Sequence, residues 1–176
     1  MCLKNNKINR FFKDYPESIF VCQDKFLRIL EERKNYPIRY SDLSLKLRFG
    51  SSVTSLLKEN RIKLFKDIPV WIDYFKNNGY NFAFGARIHG NIIALLAGIP
   101  VCLYTDDMRV LEMAEFFDIP YITKLSKGFD LYDAYNMIDY SKFNFTFESK
   151  LNNFQRFFDK YGIPCKIGQG IEHLTK

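Results

Sequence analysis

The chain has 176 residues, of which 47% are hydrophobic and 26% charged, a composition typical of a globular protein with a full-sized core. No apolar run approaches the roughly 20 residues of a membrane-spanning helix, and the first residues lack the apolar segment of a signal peptide. The 4 cysteines form no C-x-x-C pair, which excludes the usual zinc and redox motifs. We therefore expect a cytoplasmic protein.

The net charge of +6 is unevenly distributed. Residues 1–66 carry 15 Lys and Arg against 7 Asp and Glu, whereas residues 67–176 carry 11 against 13. A solvated basic surface explains this pattern, and attraction to an anionic membrane or a lipid-linked substrate is the functional alternative. The basic residues follow no nucleic-acid-binding motif, so we expect no nucleic-acid partner.

In chain order, the first part of the sequence predicts one short strand and three helices. The strand is predicted at residues 18–22, and the helices are predicted at residues 25–34, 53–64 and 70–76. The segment 38–66 is ambiguous, although residues 53–64 within it look helical.

The most regular pattern lies between residues 80 and 123. Strands are predicted at residues 80–84, 99–104 and 119–123, and helices at residues 90–97 and 107–117, the first of which ends at Gly98. Alternating strands and helices with short connections are typical of a parallel, doubly wound sheet.

Two amphipathic helices are predicted after this pattern, at residues 131–140 and 147–161. We therefore predict an α/β fold with a single Rossmann-like, parallel-sheet domain over residues 1–176. Its parts are the core at 18–130, the C-terminal helices at 131–162 and a tail at 163–176.

Arg87 and His89 come directly after a predicted strand, with Gly85 and Gly90 beside them. Ligands of open α/β sheets bind at this end of the strands, and a helix N-terminus favours anions. In an extended turn both side chains point to the same side, where a guanidinium holds phosphate or carboxylate and an imidazole offers a hydrogen bond or a proton. The structural alternative is that Arg87 pairs with a carboxylate and His89 with a backbone carbonyl.

A second polar group follows the next strand. Asp107 is placed to cap the predicted helix, and Arg109 and Glu112 have the spacing of an ion pair on its surface. The functional alternative gives Arg109 a binding role. Neither His89 nor His173 has the cysteine and carboxylate neighbours of a metal site, so we expect no metal.

Residues 84–100, followed by Asp107, Arg109 and Glu112, resemble the C-terminal signature of the polysaccharide pyruvyl transferases. The family pattern is Gly-x-Arg-x-His, an apolar helix, Gly-[Val/Ile]-Pro and then Asp-x-[Lys/Arg]. The match is dense over residues 80–121.

This resemblance implies the C-terminal, donor-binding half of a GT-B fold. It implies transfer of a pyruvyl group from phosphoenolpyruvate to a sugar of a cell-surface polysaccharide or its lipid-linked oligosaccharide precursor, with no cofactor. Arg87 and His89 would contact the donor, with His89 as the catalytic acid or base. The backbone amides around Gly90 and Asn91 would cradle the phosphate, and Arg109 would be a secondary anion contact.

The chain has no room for the N-terminal domain that holds the acceptor in that family. It would be a fragment, a half completed by a separate N-terminal-domain chain, or a remnant, so whether it is an enzyme stays open. The alternatives are half of a GT-B glycosyltransferase that uses a nucleotide sugar, or a non-catalytic anion-binding or interaction module. The basic first third would dock a partner chain, an anionic acceptor or the inner face of the membrane.

Overall fold

The computed structural model describes residues 6–22, 51–105 and 107–165. The chain divides into two compact units, an N-terminal unit, Met1–Asp67, and a C-terminal unit, Ile68–Lys176. The helix expected at 25–34 and most of the tail expected at 163–176 lie outside the described residues.

The described part of the N-terminal unit contains a small parallel sheet with helices before and between its strands. Its elements are α1 (Asn6–Asp14), β1 (Phe20–Val21), α2 (Ser51–Lys58) and β2 (Ile62–Lys63). β1 and β2 pair in parallel, with Phe20 opposite Ile62. The buried core consists of Cys22, Leu56 and Ile62, against which Phe12, Phe20, Leu57 and Leu64 pack.

The single helix predicted at 53–64 is confirmed only over residues 53–58. Helix α2 ends at Lys58, because Asn60 adopts a left-handed conformation with φ of 55° that a helix cannot continue through. The chain then forms β2, whose pairing with β1 outweighs the helical pattern of its residues. Helix α1 was not predicted at all.

The C-terminal unit contains a parallel sheet with a helix after each strand. Its elements are α3 (Ile68–Asn77), β3 (Ala83–Gly85), α4 (Ile88–Leu96), β4 (Val101–Tyr104), α5 (Met108–Phe117), β5 (Tyr121–Ile122), α6 (Leu131–Met137) and α7 (Ser141–Lys160). The strands lie in the order β3-β4-β5, with Gly85 opposite Leu103 and Leu103 opposite Tyr121. The predicted mixed α/β class with parallel strands is confirmed.

The strand order follows the chain order without a reversal among the described strands. A doubly wound sheet needs such a reversal, so this finer expectation is not met in the part of the chain that the structure describes. By the right-handed rule for crossovers between parallel strands, we expect α4 and α5 on the same face of the sheet.

The other face of the sheet carries aromatic side chains that meet the segment around α6. The Phe82 ring lies 5.5 Å from the Tyr135 ring, and the Phe84 ring lies 5.9 Å from the Phe129 ring. The central strand β4 is largely buried, and Leu103 within it is fully inaccessible to solvent.

Two helix ends in this unit lie where the sequence predicts them. Gly98 comes directly after the C-cap of α4 and has a φ of 79°, so the prediction that it ends this helix is confirmed. Asp107 is the N-cap of α5 and its carboxylate accepts a hydrogen bond from the Arg109 backbone N–H, as predicted.

Candidate functional site

The candidate site is the edge of the C-terminal sheet where its parallel strands end. β3 ends at Gly85 and β4 at Tyr104, and each strand leads through a short turn into a helix. Because β3 and β4 are parallel neighbours, the N-termini of α4 and α5 lie at the same edge. Arg87 and Asp107 are the N-caps of these two helices.

The first turn of α4 supplies backbone donors. Arg87 has extended dihedral angles (φ −90°, ψ 110°), and the first intrahelical bond runs from the Asn91 N–H to the Arg87 carbonyl at 3.3 Å. The N–H groups of residues 88–90 precede this bond and have no acceptor within the helix. The backbone N–H groups that can bind an anion are therefore those of residues 88–90, whereas the Asn91 backbone N–H is used in the first hydrogen bond of the helix.

Arg87 and His89 are both exposed at the start of α4. The extended turn predicted between them is wrong, because the helix already begins at Ile88. Residues two positions apart do not face each other on a helix, so strand alternation does not align their side chains. The two residues share the edge of the sheet and flank the free backbone donors.

A buried asparagine shapes this turn. Only 5% of Asn91 is exposed, and its side-chain amide donates to the Gly85 carbonyl at 3.1 Å and to the Arg87 carbonyl at 2.9 Å. The side chain thus joins the end of β3 to the N-cap of α4 and holds Arg87 in place. Sequence reasoning considered only its backbone; the signal was one amide in an otherwise apolar stretch of helix.

The turn after β4 is held by Thr105, a buried residue whose Oγ1 accepts a hydrogen bond from the Asp107 backbone N–H at 3.1 Å. Arg109 contacts the Asp107 carboxylate, with Nη2 to Oδ2 at 3.1 Å. The pairing of Arg109 with Glu112 was therefore wrong, and Asp107 is its partner. Hydrogen bonding to Arg109 lowers the pKa of Asp107, and the same contact raises the pKa of Arg109.

The charge of Arg109 is thus partly offset before any ligand arrives. Its side chain is 87% exposed, which leaves the guanidinium able to reorient toward solvent. Glu112 lies further along α5 and is also exposed. The structure therefore brings Arg87, His89 and Arg109 to one edge of the sheet, with Asp107 as a competing anion.

The loop after β5 begins at the same edge and contains two exposed cations, Lys124 and Lys127. Sequence reasoning did not select them, although their position directly after the strand predicted at 119–123 was the available signal. Together with Arg87 and His89 they make this edge rich in cationic and proton-donating groups.

Aromatic rings lie beside these polar groups. The Phe84 and Tyr104 rings are stacked, with centroids 6.0 Å apart and planes at 11°, and the Phe129 ring lies 5.9 Å from Phe84. All three residues are half-buried. Sequence reasoning also missed this group, because aromatic residues occur throughout the chain.

Within residues 6–22, 51–105 and 107–165, no three His, Cys, Asp or Glu side chains are grouped so that they could hold a metal ion. Across the same ranges, no helix has the length and apolar character needed to cross a bilayer. The chain matches no protein-family model, no curated protein and no solved structure.

Proposed function

We propose that the C-terminal unit binds a phosphorylated donor at the edge where β3 and β4 end. The observation that carries this proposal is the position of Arg87 and His89 around the free N–H groups of residues 88–90 at the start of α4. A helix N-terminus with an adjacent guanidinium is a favourable environment for a phosphate or a carboxylate. Phosphoenolpyruvate carries both groups.

The proposed activity is that of a transferase-like protein of polysaccharide biosynthesis, which moves a pyruvyl group from phosphoenolpyruvate to a sugar. The unit would correspond to the Rossmann-like C-terminal half of a GT-B fold. Its resemblance to the pyruvyl transferase signature over residues 80–121 supports this assignment.

Each residue has a chemical task in this proposal. The N–H groups of residues 88–90 hold the phosphate, and Arg87 neutralises the phosphate or the carboxylate. His89 gives a proton to the methylene carbon while a sugar hydroxyl attacks the neighbouring carbon, and the proton of that hydroxyl returns to the imidazole. A second sugar hydroxyl then displaces inorganic phosphate, which takes up the proton of that hydroxyl, and the ketal is complete. Arg109 is a secondary contact, weakened by Asp107.

Turnover requires a positioned acceptor as well as a bound donor. We propose that a sugar or lipid-linked oligosaccharide reaches this edge with the help of a separate N-terminal-domain chain. The excess of Lys and Arg in residues 1–66 supports docking to an anionic partner or to the inner membrane surface.

The test is calorimetric titration of the full chain with phosphoenolpyruvate. We expect Arg87→Ala and His89→Ala to weaken binding, the first by about tenfold or more, since a hydrogen bond to a charged group contributes about 1.5–3 kcal/mol. Arg156→Ala is the matched control, because Arg156 is an exposed arginine on α7 and belongs to neither of the strand-to-helix turns at the edge. The Arg156→Ala variant should bind phosphoenolpyruvate as tightly as the original chain does.

Equal affinity in a folded Arg87→Ala variant would contradict the proposal. A nucleotide sugar that binds in place of phosphoenolpyruvate would instead indicate a glycosyltransferase half. If neither donor binds, the non-catalytic module becomes the better interpretation.

A further inference from the structure

We propose that Phe84, Tyr104 and Phe129 form a ring-stacking subsite beside the anion site. The ligand would then carry a ring, either a sugar or a heteroaromatic base, attached to its phosphate. This inference rests on the proposed function, because it uses the anion site at Arg87 as the neighbouring subsite. Phosphoenolpyruvate has no ring, so the ring would belong to a second ligand, such as the phosphorylated sugar of a lipid-linked acceptor.

The geometry places these rings at the edge where the ligand would bind. Phe84 is the residue before the end of β3, and Tyr104 is the last residue of β4. Phe84 is the register partner of Cys102, so Tyr104 lies on the same face of the sheet and two residues nearer its edge. Phe129 comes directly before Asp130, the N-cap of α6.

The stacked pair has flat surfaces in a common orientation. The planes of Phe84 and Tyr104 differ by only 11°, and a base or the C–H face of a sugar can stack on such a surface. All three residues stay half-buried, whereas Cys102, on the same face of β4, is only 2% exposed. Rings that only completed the core would be expected to lie equally deep.

The subsite is also within reach of the anion site. Arg87 follows Phe84 by three residues, a span of at most about 10 Å along an extended chain. A phosphorylated ring that contacts both would lie across this edge of the sheet, from the face that carries the aromatic group to the start of α4. The exposed Lys124 and Lys127 lie in the loop that leads to Phe129 and favour a ligand with more than one negative charge.

Two pairs of probes separate the ring from the anion. Inorganic diphosphate and uridine diphosphate differ by a nucleoside, and inorganic phosphate and glucose 1-phosphate differ by a sugar. Each probe is titrated calorimetrically into the full chain and into Tyr104→Leu and Phe129→Leu, which keep an apolar side chain. Phe145→Leu is the matched control, because Phe145 is 87% exposed and lies on α7.

We expect the ring-bearing member of one pair to bind about tenfold more tightly than its ringless partner. Tyr104→Leu and Phe129→Leu should remove this difference and leave the affinity for the inorganic anion unchanged, whereas Phe145→Leu should keep it. A difference in the uridine pair would identify a base, and a difference in the glucose pair would identify a sugar.

Equal affinities within both pairs would overturn the ring subsite while the anion site stands. A difference that survives both folded variants would overturn it as well. If neither the inorganic anions nor phosphoenolpyruvate bind, the proposed function fails and the subsite fails with it. If Tyr104→Leu does not fold, Phe129→Leu and the comparison of the paired probes on the original chain still test the ring subsite.

Discussion

Asp118 is a buried carboxylate that joins α5 to α7. Its side chain is only 6% exposed and contacts the Lys142 Nζ at 2.6 Å, the Thr146 Oγ1 at 2.7 Å and the Lys150 Nζ. These three partners are spaced one helical turn apart on α7. Burial alone would raise the pKa of Asp118, but the hydrogen bonds from Lys142, Lys150 and Thr146 outweigh it and hold the pKa well below its usual range.

Asp118→Asn should therefore destabilise the protein in a pH-dependent way. The pKa of Asp118 is lower in the folded than in the unfolded chain, so its contribution is complete above about pH 4 and is lost as the pH falls. We expect a loss of about 2 kcal/mol in the free energy of unfolding at pH 7, and a smaller loss at pH 3. Urea unfolding at both pH values measures it.

Asp73→Asn is the matched control, because Asp73 is an exposed carboxylate on α3. It should change the unfolding free energy by less than about 0.5 kcal/mol at either pH. A loss for Asp118→Asn that is the same at pH 3 and pH 7 would show that the carboxylate charge does not stabilise this contact.

At the scale of elements, Tyr140 completes the hydrogen bonding of β4. On the side facing β5, the Leu103 N–H donates to the Pro120 carbonyl at 2.9 Å, but β5 begins too late to pair with Val101. The Tyr140 hydroxyl takes the place of the absent strand residue. It accepts from the Val101 N–H at 2.7 Å and donates to the Val101 carbonyl at 2.8 Å.

Tyr140→Phe should cost about 2 kcal/mol of unfolding free energy at pH 7, because two buried backbone groups of Val101 lose their partner. Burial raises the pKa of Tyr140, so its contribution is present below about pH 10 and is lost as the pH rises further. Denaturant unfolding at pH 7 and in alkali measures both effects. Tyr161→Phe, at a residue that is 58% exposed, should leave the stability unchanged; an equal loss there would contradict this role.

The sequence predicted the alternation of β3, α4, β4 and α5, because runs of apolar residues, Gly98 and the N-cap Asp107 all act locally. It did not predict β2, because the residues of this strand continue the helical pattern of α2 and the strand is defined by its pairing with β1. The strand–helix pattern could be read from periodicity, whereas β2 depends on a distant partner.

The same distinction between local sequence pattern and contacts with distant residues applies to the candidate site. Arg87 and His89 could be placed at the sheet edge from the order of elements, since that placement depends on local pattern. The support of Arg87 by the Asn91 side chain and the stacking of Phe84 on Tyr104 could not, because they depend on tertiary contacts. The partner of Arg109 was missed for a different reason: its N-cap neighbour Asp107 lies closer than the residue one turn ahead.

At the scale of the whole molecule, each unit has a buried thiol in its own core. Cys22 packs with Leu56 and Ile62 in the N-terminal unit, and Cys102 lies in the central strand of the C-terminal unit. Burial raises the pKa of each thiol to about 12. Cys165 is only half-buried. The reactivities of these thiols therefore report on the opening of each unit.

A thiol reagent at pH 8 should modify Cys165 rapidly, and Cys22 and Cys102 only when their unit opens, because the thiolate is the reactive form. In increasing urea we expect Cys22 to react at a lower concentration than Cys102, since the N-terminal unit, Met1–Asp67, is the shorter of the two units and a shorter chain buries a smaller fraction of its surface. Mass spectrometry of the labelled peptides distinguishes the sites, and labelling of the fully denatured chain is the control. Reaction of Cys22 and Cys102 in one transition would show that the two units unfold together, and reaction as fast as Cys165 without urea would contradict their burial.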